Sequence, residues 1–294
     1  MYPAQRRDRR NHVGGLVGYN NGGTVTESHA TSCVGGLVWI GGLVGTNEGG
    51  LITESYATGN VSSGSGAGGL VGKNSGTVTE SYATGDASGV ITVVGGLLGQ
   101  NSGTVNESYA TGDVEALALV GGLVGRINSG TVSGSYATGD VTGDNDRAGG
   151  FAGGKNGGTI TDGYWDDEAA TVIKSGTEIH ESVGNGDDSG VTGLTTTEMT
   201  GGRATGNLAF DFSSTWQTTS DDGSIDGFGV FYPTLQNNVQ QPAPSGTLYA
   251  GGDGSVGAPY EIANWYHLDN VRQNLGANFT LVSDLNEATA GYDA

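Results

Sequence analysis

Residues 68–86 read GGLVGKNSGTVTESYATGD, and the chain contains this segment six times with small changes. Its opening glycine pair begins at Gly14, Gly41, Gly68, Gly95, Gly121 and Gly149, so successive copies start 27, 27, 27, 26 and 28 residues apart. A fixed period of this length is typical of stacked supersecondary units, because one unit alone cannot bury its apolar face. The sequence therefore predicts stacked units over residues 13–165.

Each unit has the composition of short strands joined by turns. Thr, Val and Tyr favour strands, Asn and Gly favour turns, and no unit contains proline. Alternate residues of a strand point to opposite faces of the sheet. The residues Ala83, Gly85 and Ala87 on one face are small and suit a narrow interior, whereas Tyr82 and Asp86 lie on the other face. We predict an all-β fold, a parallel β-solenoid or β-helix of about six 27-residue coils, with the small side chains inside.

Stacking places equal positions of successive coils in rows about 4.8 Å apart. An aromatic row is predicted to begin at His29 and end at Tyr164, and its four central members are Tyr56, Tyr82, Tyr109 and Tyr136. Such a row stabilises a solenoid by stacking. It is also a candidate ligand-facing ladder for glycan.

Two polar rows accompany the aromatic one. The first is an amide row of Asn47, Asn74 and Asn101, joined by Asn20 and, after a one-residue shift, by Asn128 and Asn156. Amides in such a row hydrogen-bond to one another. The second row consists of Glu27, Glu54, Glu80 and Glu107, which repel by ~1 kcal/mol per neighbour even in a water-like dielectric. We expect these carboxylates to face solvent, to splay apart or to bind cations.

The charge balance restricts the partners. Asp and Glu total 31 against 11 Lys and Arg, a net charge of −20. Nucleic acid is therefore not expected as a partner, because its binding depends on clustered cations. A chain this acidic repels itself unless salt screens it, so we predict a halophilic protein whose acidic surface is screened by monovalent or divalent cations.

A single cysteine, Cys33, excludes an intrachain disulfide. We expect it in a small buried or semi-buried position. No apolar run approaches the ~20 residues of a membrane-spanning helix, so no membrane span is predicted.

The repeated Gly-Gly-Leu-Val-Gly, Asn-x-Gly and Val-x-x-Ser-Tyr-Ala-Thr-Gly elements resemble the GLUG motif, found in many copies in bacterial and archaeal surface proteins. The resemblance covers residues 13–165. It implies a β-solenoid with an adhesin-like role, an extracellular or cell-surface location, and glycans or surface-layer proteins as partners. It transfers no catalytic residue, because the motif is structural.

The rest of the chain divides by composition. Residues 1–12 are predicted to be disordered, and residues 166–239, rich in Trp and Phe, to form a mixed capping segment in which Thr196 or Thr197 caps a helical turn. Residues 240–247 read as a linker. Residues 248–294 are predicted to contain a helix and the first coil of a second β-helix, which suggests a fragment of a longer polypeptide.

No catalytic, cofactor-binding or metal site is predicted. His180-Glu181 begins a zinc-protease pattern, but Gly184 stands where the second His is needed. Asp222 opens a calcium-loop pattern that ends at Pro233 in place of an acidic residue. Three glycosylation sequons are candidate modification sites, at Asn60, Asn106 and Asn278.

The sequence thus favours a non-enzymatic cell-surface or secreted structural protein, adhesin-like, whose solenoid contacts cells, glycans or a surface layer. Two alternatives stay open. One is a β-helix carbohydrate-active enzyme, a polysaccharide lyase or hydrolase. The other is a non-functional fragment of a larger surface protein.

Overall fold

A computed structural model describes residues 12–90, 93–143, 147–218, 232–238, 252, 254–262, 268 and 277–283. The predicted parallel β-solenoid is confirmed. Strand register defines six coils, residues 13–39, 40–66, 67–93, 94–119, 120–147 and 148–180, numbered 1 to 6 below. Residues 181–194 add a partial seventh coil, so the solenoid has about seven coils where the repeat count gave six.

The first and second sheets contain the segment that carries the glycine pairs. A Cβ atom on Gly42 would lie 2.1 Å from the carbonyl oxygen of Gly69, so only glycine permits the coils to approach this closely. The first sheet holds β1 (Val13–Gly14), β6 (Ile40–Gly41), β11 (Gly66–Gly68), β16 (Val93–Gly95), β21 (Leu119–Gly121) and β25 (Ala148–Gly149). The second holds β2 (Val17–Asn21), β7 (Val44–Glu48), β12 (Val71–Asn74), β17 (Leu98–Asn101), β22 (Val124–Ile127) and β26 (Ala152–Lys155).

The third sheet carries the aromatic row. Each of the first four coils contributes two short strands, which merge into one strand in coils 5 and 6. The strands are β3 (Thr24–Thr26), β4 (His29–Ala30), β8 (Leu51–Thr53), β9 (Tyr56–Ala57), β13 (Thr77–Thr79), β14 (Tyr82–Ala83), β18 (Thr104–Asn106), β19 (Tyr109–Ala110), β23 (Thr131–Ala137), β27 (Thr159–Asp166) and β30 (Val191–Leu194).

The fourth sheet closes each coil. It holds β5 (Val34–Gly36), β10 (Val61–Ser63), β15 (Ala87–Gly89), β20 (Val114–Ala116), β24 (Val141–Gly143), β28 (Val172–Lys174) and β29 (Thr177–Ile179). The last pair, β28 and β29, is antiparallel and forms a hairpin at the edge of the sheet.

The solenoid interior is a stack of equivalent apolar positions. The alanine row predicted to face inward does so, with Ala57, Ala83, Ala110 and Ala137 at most 1% exposed. Trp165 continues this row in coil 6, and Phe151 continues the leucine row of Leu43, Leu70, Leu97 and Leu123. Because both replacements are larger than the residues they follow, the interior is filled at the C-terminal end of the solenoid.

Beyond the solenoid, residues 195–218 and 232–238 form a segment that we call the strap. It contains α1 (Thr196–Met199), α2 (Gly201–Asn207) and an antiparallel pair, β31 (Trp216–Gln217) and β32 (Thr234–Leu235). The strap lies within the predicted capping segment, but it packs along the side of the third sheet and forms a second apolar cluster there.

Two further strands, β33 (Tyr260–Ile262) and β34 (Phe279–Leu281), pair in parallel within the predicted second β-helix. Residues 1–11 and the linker at 240–247 lie outside the described residues, as does most of the helix expected between these two strands. The calcium-loop pattern that begins at Asp222 also lies outside them, except for Pro233.

Candidate functional site

The aromatic row lies on the outer side of the third sheet, and its rings form a stack from His29 to Tyr136. Strand register places His29, Tyr56, Tyr82, Tyr109, Tyr136 and Tyr164 in one row. From His29 to Tyr136, neighbouring ring centroids lie 4.9–5.0 Å apart with interplanar angles of 8° or less. The predicted row is therefore confirmed as a structural element.

The strap covers most of this row. Tyr82, Tyr109 and Tyr136 are at most 1% exposed, and the Trp216 ring centroid lies 5.7 Å from that of Tyr136. The Tyr136 hydroxyl donates to the Pro233 carbonyl at 2.7 Å, and burial holds the pKa of Tyr136 well above its ordinary value. These three rings are therefore shielded from external ligands.

Only the N-terminal end of the aromatic row reaches solvent, where Tyr56 is half-buried and His29 is exposed. Burial raises the pKa of Tyr56 as well. The prediction of a ligand-facing ladder stays a prediction, and it now concerns these two rings.

The second segment of the strap, residues 232–238, is fixed at both ends by hydrogen bonds to the solenoid. The Tyr232 hydroxyl donates to Oδ2 of the fully buried Asp166 at 2.5 Å, and burial followed by the Asp166 charge raises the pKa of Tyr232. At the other end, Nδ2 of Asn238 donates to the carbonyl oxygens of Glu80 at 2.8 Å and Ser55 at 3.3 Å. The strap therefore connects coil 6 with coils 2 and 3.

The first helix of the strap begins one residue earlier than predicted. Thr195, and neither Thr196 nor Thr197, is the N-cap, and its hydroxyl accepts from the Glu198 backbone N–H. Glu198 in turn accepts from the Thr195 N–H at 2.9 Å, which completes a capping box. These hydrogen bonds lower the pKa of Glu198.

The amide row is buried and continuous over four coils. Nδ2 of Asn20, Asn47 and Asn74 each donates to Oδ1 of the next asparagine, at 2.8, 2.9 and 2.9 Å. The extension to Asn128 and Asn156 was wrong, because Asn101 pairs in register with Ile127, and Ile127 with Lys155. The row therefore ends at Asn101.

The glutamate row occupies a sharp corner of the coil. Glu27, Glu54, Glu80 and Glu107 all have left-handed backbones, with φ between 45° and 47°. Glu27 is exposed and the other three are half-buried. Partial burial, then the charges of Glu80 and Asp211, raise the pKa of Glu107.

The fourth sheet bears an open groove of about 670 Å³ that sequence reasoning missed. Along it, Oδ1 of each acid accepts the backbone N–H of the next coil: Asp86 from Asp113 at 3.1 Å, Asp113 from Asp140 at 3.0 Å, and Asp140 from Thr171 at 2.7 Å. The recurrent Gly-Asp pair at 85–86, 112–113 and 139–140 was the available signal.

A second line of side chains completes the groove. Successive strands of the fourth sheet contribute Ser62, Ser88, Glu115 and Thr142. Hydroxyl and carboxylate groups therefore recur along the groove once per coil. Hydroxyls both donate and accept hydrogen bonds, whereas carboxylates only accept them.

Cys33 lies at the N-terminal end of the same groove and is exposed, which corrects the expected buried or semi-buried position. The physical reason is its register. Val34 pairs with Val61, so Cys33 stands in the coil position of Asn60 and Asp86, whose side chains face solvent.

The three sequons occupy different environments. Asn60 is exposed in the groove, and its Nδ2 donates to Asp86 at 3.2 Å. Asn106 is half-buried, and its Oδ1 accepts from the Ser133 hydroxyl at 2.7 Å. Asn278 is exposed. Glycosylation at these positions stays a prediction.

Among the described residues, no group of three or more His, Cys, Asp or Glu side chains is arranged to hold a metal ion. In the same part of the chain, no helix is long and apolar enough to cross a membrane.

The comparisons with known proteins concern the repeat alone. No curated protein and no solved structure matches the chain. The family model described as the GLUG motif matches residues 40–62, in coil 2, and residues 116–142, at the junction of coils 4 and 5 and through most of coil 5. The chain therefore carries the GLUG motif in the repeats that build its solenoid.

Proposed function

We propose that this protein is a non-enzymatic, adhesin-like structural repeat protein, located outside the cell or at its surface. In this proposal the fourth-sheet groove contacts the glycans of cells or of a surface layer. The observation that carries the proposal is the groove itself, in which the same polar positions recur coil after coil.

The chemistry of the groove favours a polymer with repeated hydroxyl groups. Ser62, Ser88 and Thr142 supply hydroxyls, and Glu115 supplies an acceptor, all on one face. A chain with a net charge of −20 repels polyanions. We therefore expect neutral or amine-bearing polysaccharides to bind better than acidic ones.

Binding of the 294-residue protein to neutral, amine-bearing and acidic polysaccharides, measured by calorimetry in high salt, tests the proposal. We expect Glu115→Lys to weaken binding, because it places a cation in the middle of the groove. The matched control is Glu178→Lys, which makes the same charge change on β29, outside the groove. Equal affinities of both variants and the wild type would remove the groove from the proposal.

The same incubations separate the structural role from the enzymatic alternative. A lyase releases unsaturated products and a hydrolase releases new reducing ends, whereas a binding protein leaves polymer length unchanged. Product formation that Glu115→Lys abolishes would replace the adhesin-like proposal with a carbohydrate-active enzyme.

A further inference from the structure

The two ends of the solenoid have different chemistry. At the C-terminal end, Trp165 and Phe151 interrupt the small and aliphatic interior rows, and Ile127 ends the amide row. The backbone N–H groups of Gly150 and Phe151 are bonded to the carbonyls of residues 181 and 182, and Val183 is only 7% exposed. Coil 6 is therefore covered by a chain segment that departs from the repeat.

Coil 1, by contrast, presents the side chains of an inner coil toward the N-terminal end. Leu16 occupies the position of the fully buried Leu43 but is 53% exposed, and Val13 and Val17 are half-buried. In the described part of the chain, β1, β2, β3 and β5 each form the outermost strand of their sheet. The outer face of coil 1 thus combines an apolar centre with strand edges on all sides.

Coil 1 also bears the hydrogen-bonding groups that join one coil to the next. At the four junctions from coil 1 to coil 5 a serine hydroxyl accepts a backbone N–H from the preceding coil, as Ser55 accepts from Ser28 at 3.1 Å. Oδ1 of Asn74 likewise accepts both from Asn47 and from the Gly76 N–H. The equivalent acceptors on the outer face of coil 1 are Ser28 Oγ and Asn20 Oδ1.

We infer that the outer face of coil 1 is a docking surface for one GLUG coil supplied by a second polypeptide. The incoming coil would pair with the strand edges and cover Leu16, as coil 1 itself covers coil 2. An asparagine at the position of Asn47 would make it specific, because its Nδ2 would donate to Asn20 Oδ1 as Nδ2 of Asn47 donates to Asn74 Oδ1, while a backbone N–H of the incoming coil would donate to Ser28 Oγ. The inference does not depend on the groove. An added coil would contact the end of the solenoid, whereas a glycan in the groove would contact its side.

A synthetic peptide of residues 40–66, titrated against the 294-residue protein, tests this surface. We expect binding that is weakened about tenfold or more, or 1.4 kcal/mol, by Leu16→Lys in the protein. The same loss is expected from a peptide with Asn47→Ala, which removes the side-chain donor to Asn20 Oδ1. Hydrogen exchange at the β2 and β3 amides should slow when the peptide binds.

Circular dichroism shows whether the Leu16→Lys protein is folded. If that protein is unfolded, the mutated peptide still tests the surface, because it is titrated against the wild-type protein. Equal affinity for wild-type and Leu16→Lys protein, or no binding at about 1 mM peptide, would overturn the inference. If the peptide does not bind, a chain with a second copy of residues 40–66 inserted before His12 shows whether the surface accepts a covalently attached coil. A raised Tm without peptide binding would restrict the surface to coils of the same chain, and an unchanged Tm would reject the surface altogether.

Discussion

At the scale of single residues, one corner of the coil combines backbone strain with charge. Glu27, Glu54, Glu80 and Glu107 have left-handed backbones, a conformation that costs an L-residue roughly 1–2 kcal/mol. In coil 5 the same corner is Gly134, with φ of 55°, which adopts this conformation without that penalty. The corner thus shows which residue type would relieve the strain in the other coils.

We predict that Glu107→Gly raises the free energy of unfolding by about 0.5–1 kcal/mol, because glycine accepts the left-handed corner. Urea unfolding measures the change. The control is Glu107→Gln, which removes the charge but keeps the strain. A Glu107→Gly protein no more stable than Glu107→Gln would show that the corner is not strained.

The raised pKa of Glu107 leads to a second prediction, about how stability depends on pH. Because the pKa of Glu107 is raised on folding, the folded state holds its proton to higher pH than the unfolded state. The free energy of unfolding therefore falls as the pH rises from 4.5, the ordinary pKa of this carboxyl, through the raised pKa of Glu107. Glu107→Gln should lose less stability over that range than the wild type, as measured by Tm against pH. Parallel curves would contradict it.

The Tyr136 hydroxyl provides a test of the contact between strap and solenoid. Tyr136→Phe leaves the buried Pro233 carbonyl without this donor, so we expect a loss of about 1–3 kcal/mol in the free energy of unfolding. Tyr56→Phe removes a hydroxyl from a half-buried ring of the same row and should change stability by less. Denaturant unfolding compares the two, and equal losses would argue against the Tyr136 bond.

At the scale of elements, the amide row joins four coils through side-chain hydrogen bonds. Asn74 donates to Asn101 and to the Gly76 carbonyl, and accepts from Asn47 and from the Gly76 N–H. We predict that Asn74→Ala costs about 2–3 kcal/mol, because it leaves buried partners on both sides without this amide. Asn20→Ala, at the end of the row, should cost less. Thermal unfolding decides between the two, and equal effects would mean that the amides act independently.

Period and strand composition were sufficient to predict the solenoid and the aromatic row, because every coil repeats the same local pattern. The end of the amide row was not predictable from residue type, since backbone pairing places Ile127, and not Asn128, beside Asn101. The sequence predicted which residues form the segment that contains the strap, but not that the strap packs along the side of the third sheet. Its bonds to Tyr136 and Ser55 span 97 and 183 residues and have no periodic signature.

At the scale of the whole molecule, few ion pairs in the described part of the chain offset its negative net charge. The net charge is −20, and the ion pairs of the described residues are confined to residues 155–187, with exposed carboxylate partners. Such pairs contribute little, typically 0–1 kcal/mol. Stability of coils 1 to 5 therefore depends on packing and on the ionic strength of the solvent.

We predict that Tm rises steeply with salt, because the Debye length falls from about 30 Å at 0.01 M to about 3 Å at 1 M. Circular dichroism melts in potassium chloride measure the effect. Sucrose at matched osmolality separates screening of charge from general solute exclusion. A Tm that does not change over this range would refute the halophilic account.

The strap has a mechanical consequence. Coils 2 to 6 are joined by backbone hydrogen bonds that run from one coil to the next, so tension along the solenoid axis pulls directly on these bonds. Asn238 on coils 2 and 3 and Tyr232 on coil 6 place a second, lateral connection across the same coils. We therefore expect coil 1, which lies outside this connection, to peel first under axial force, and the tied coils to yield together at a higher load.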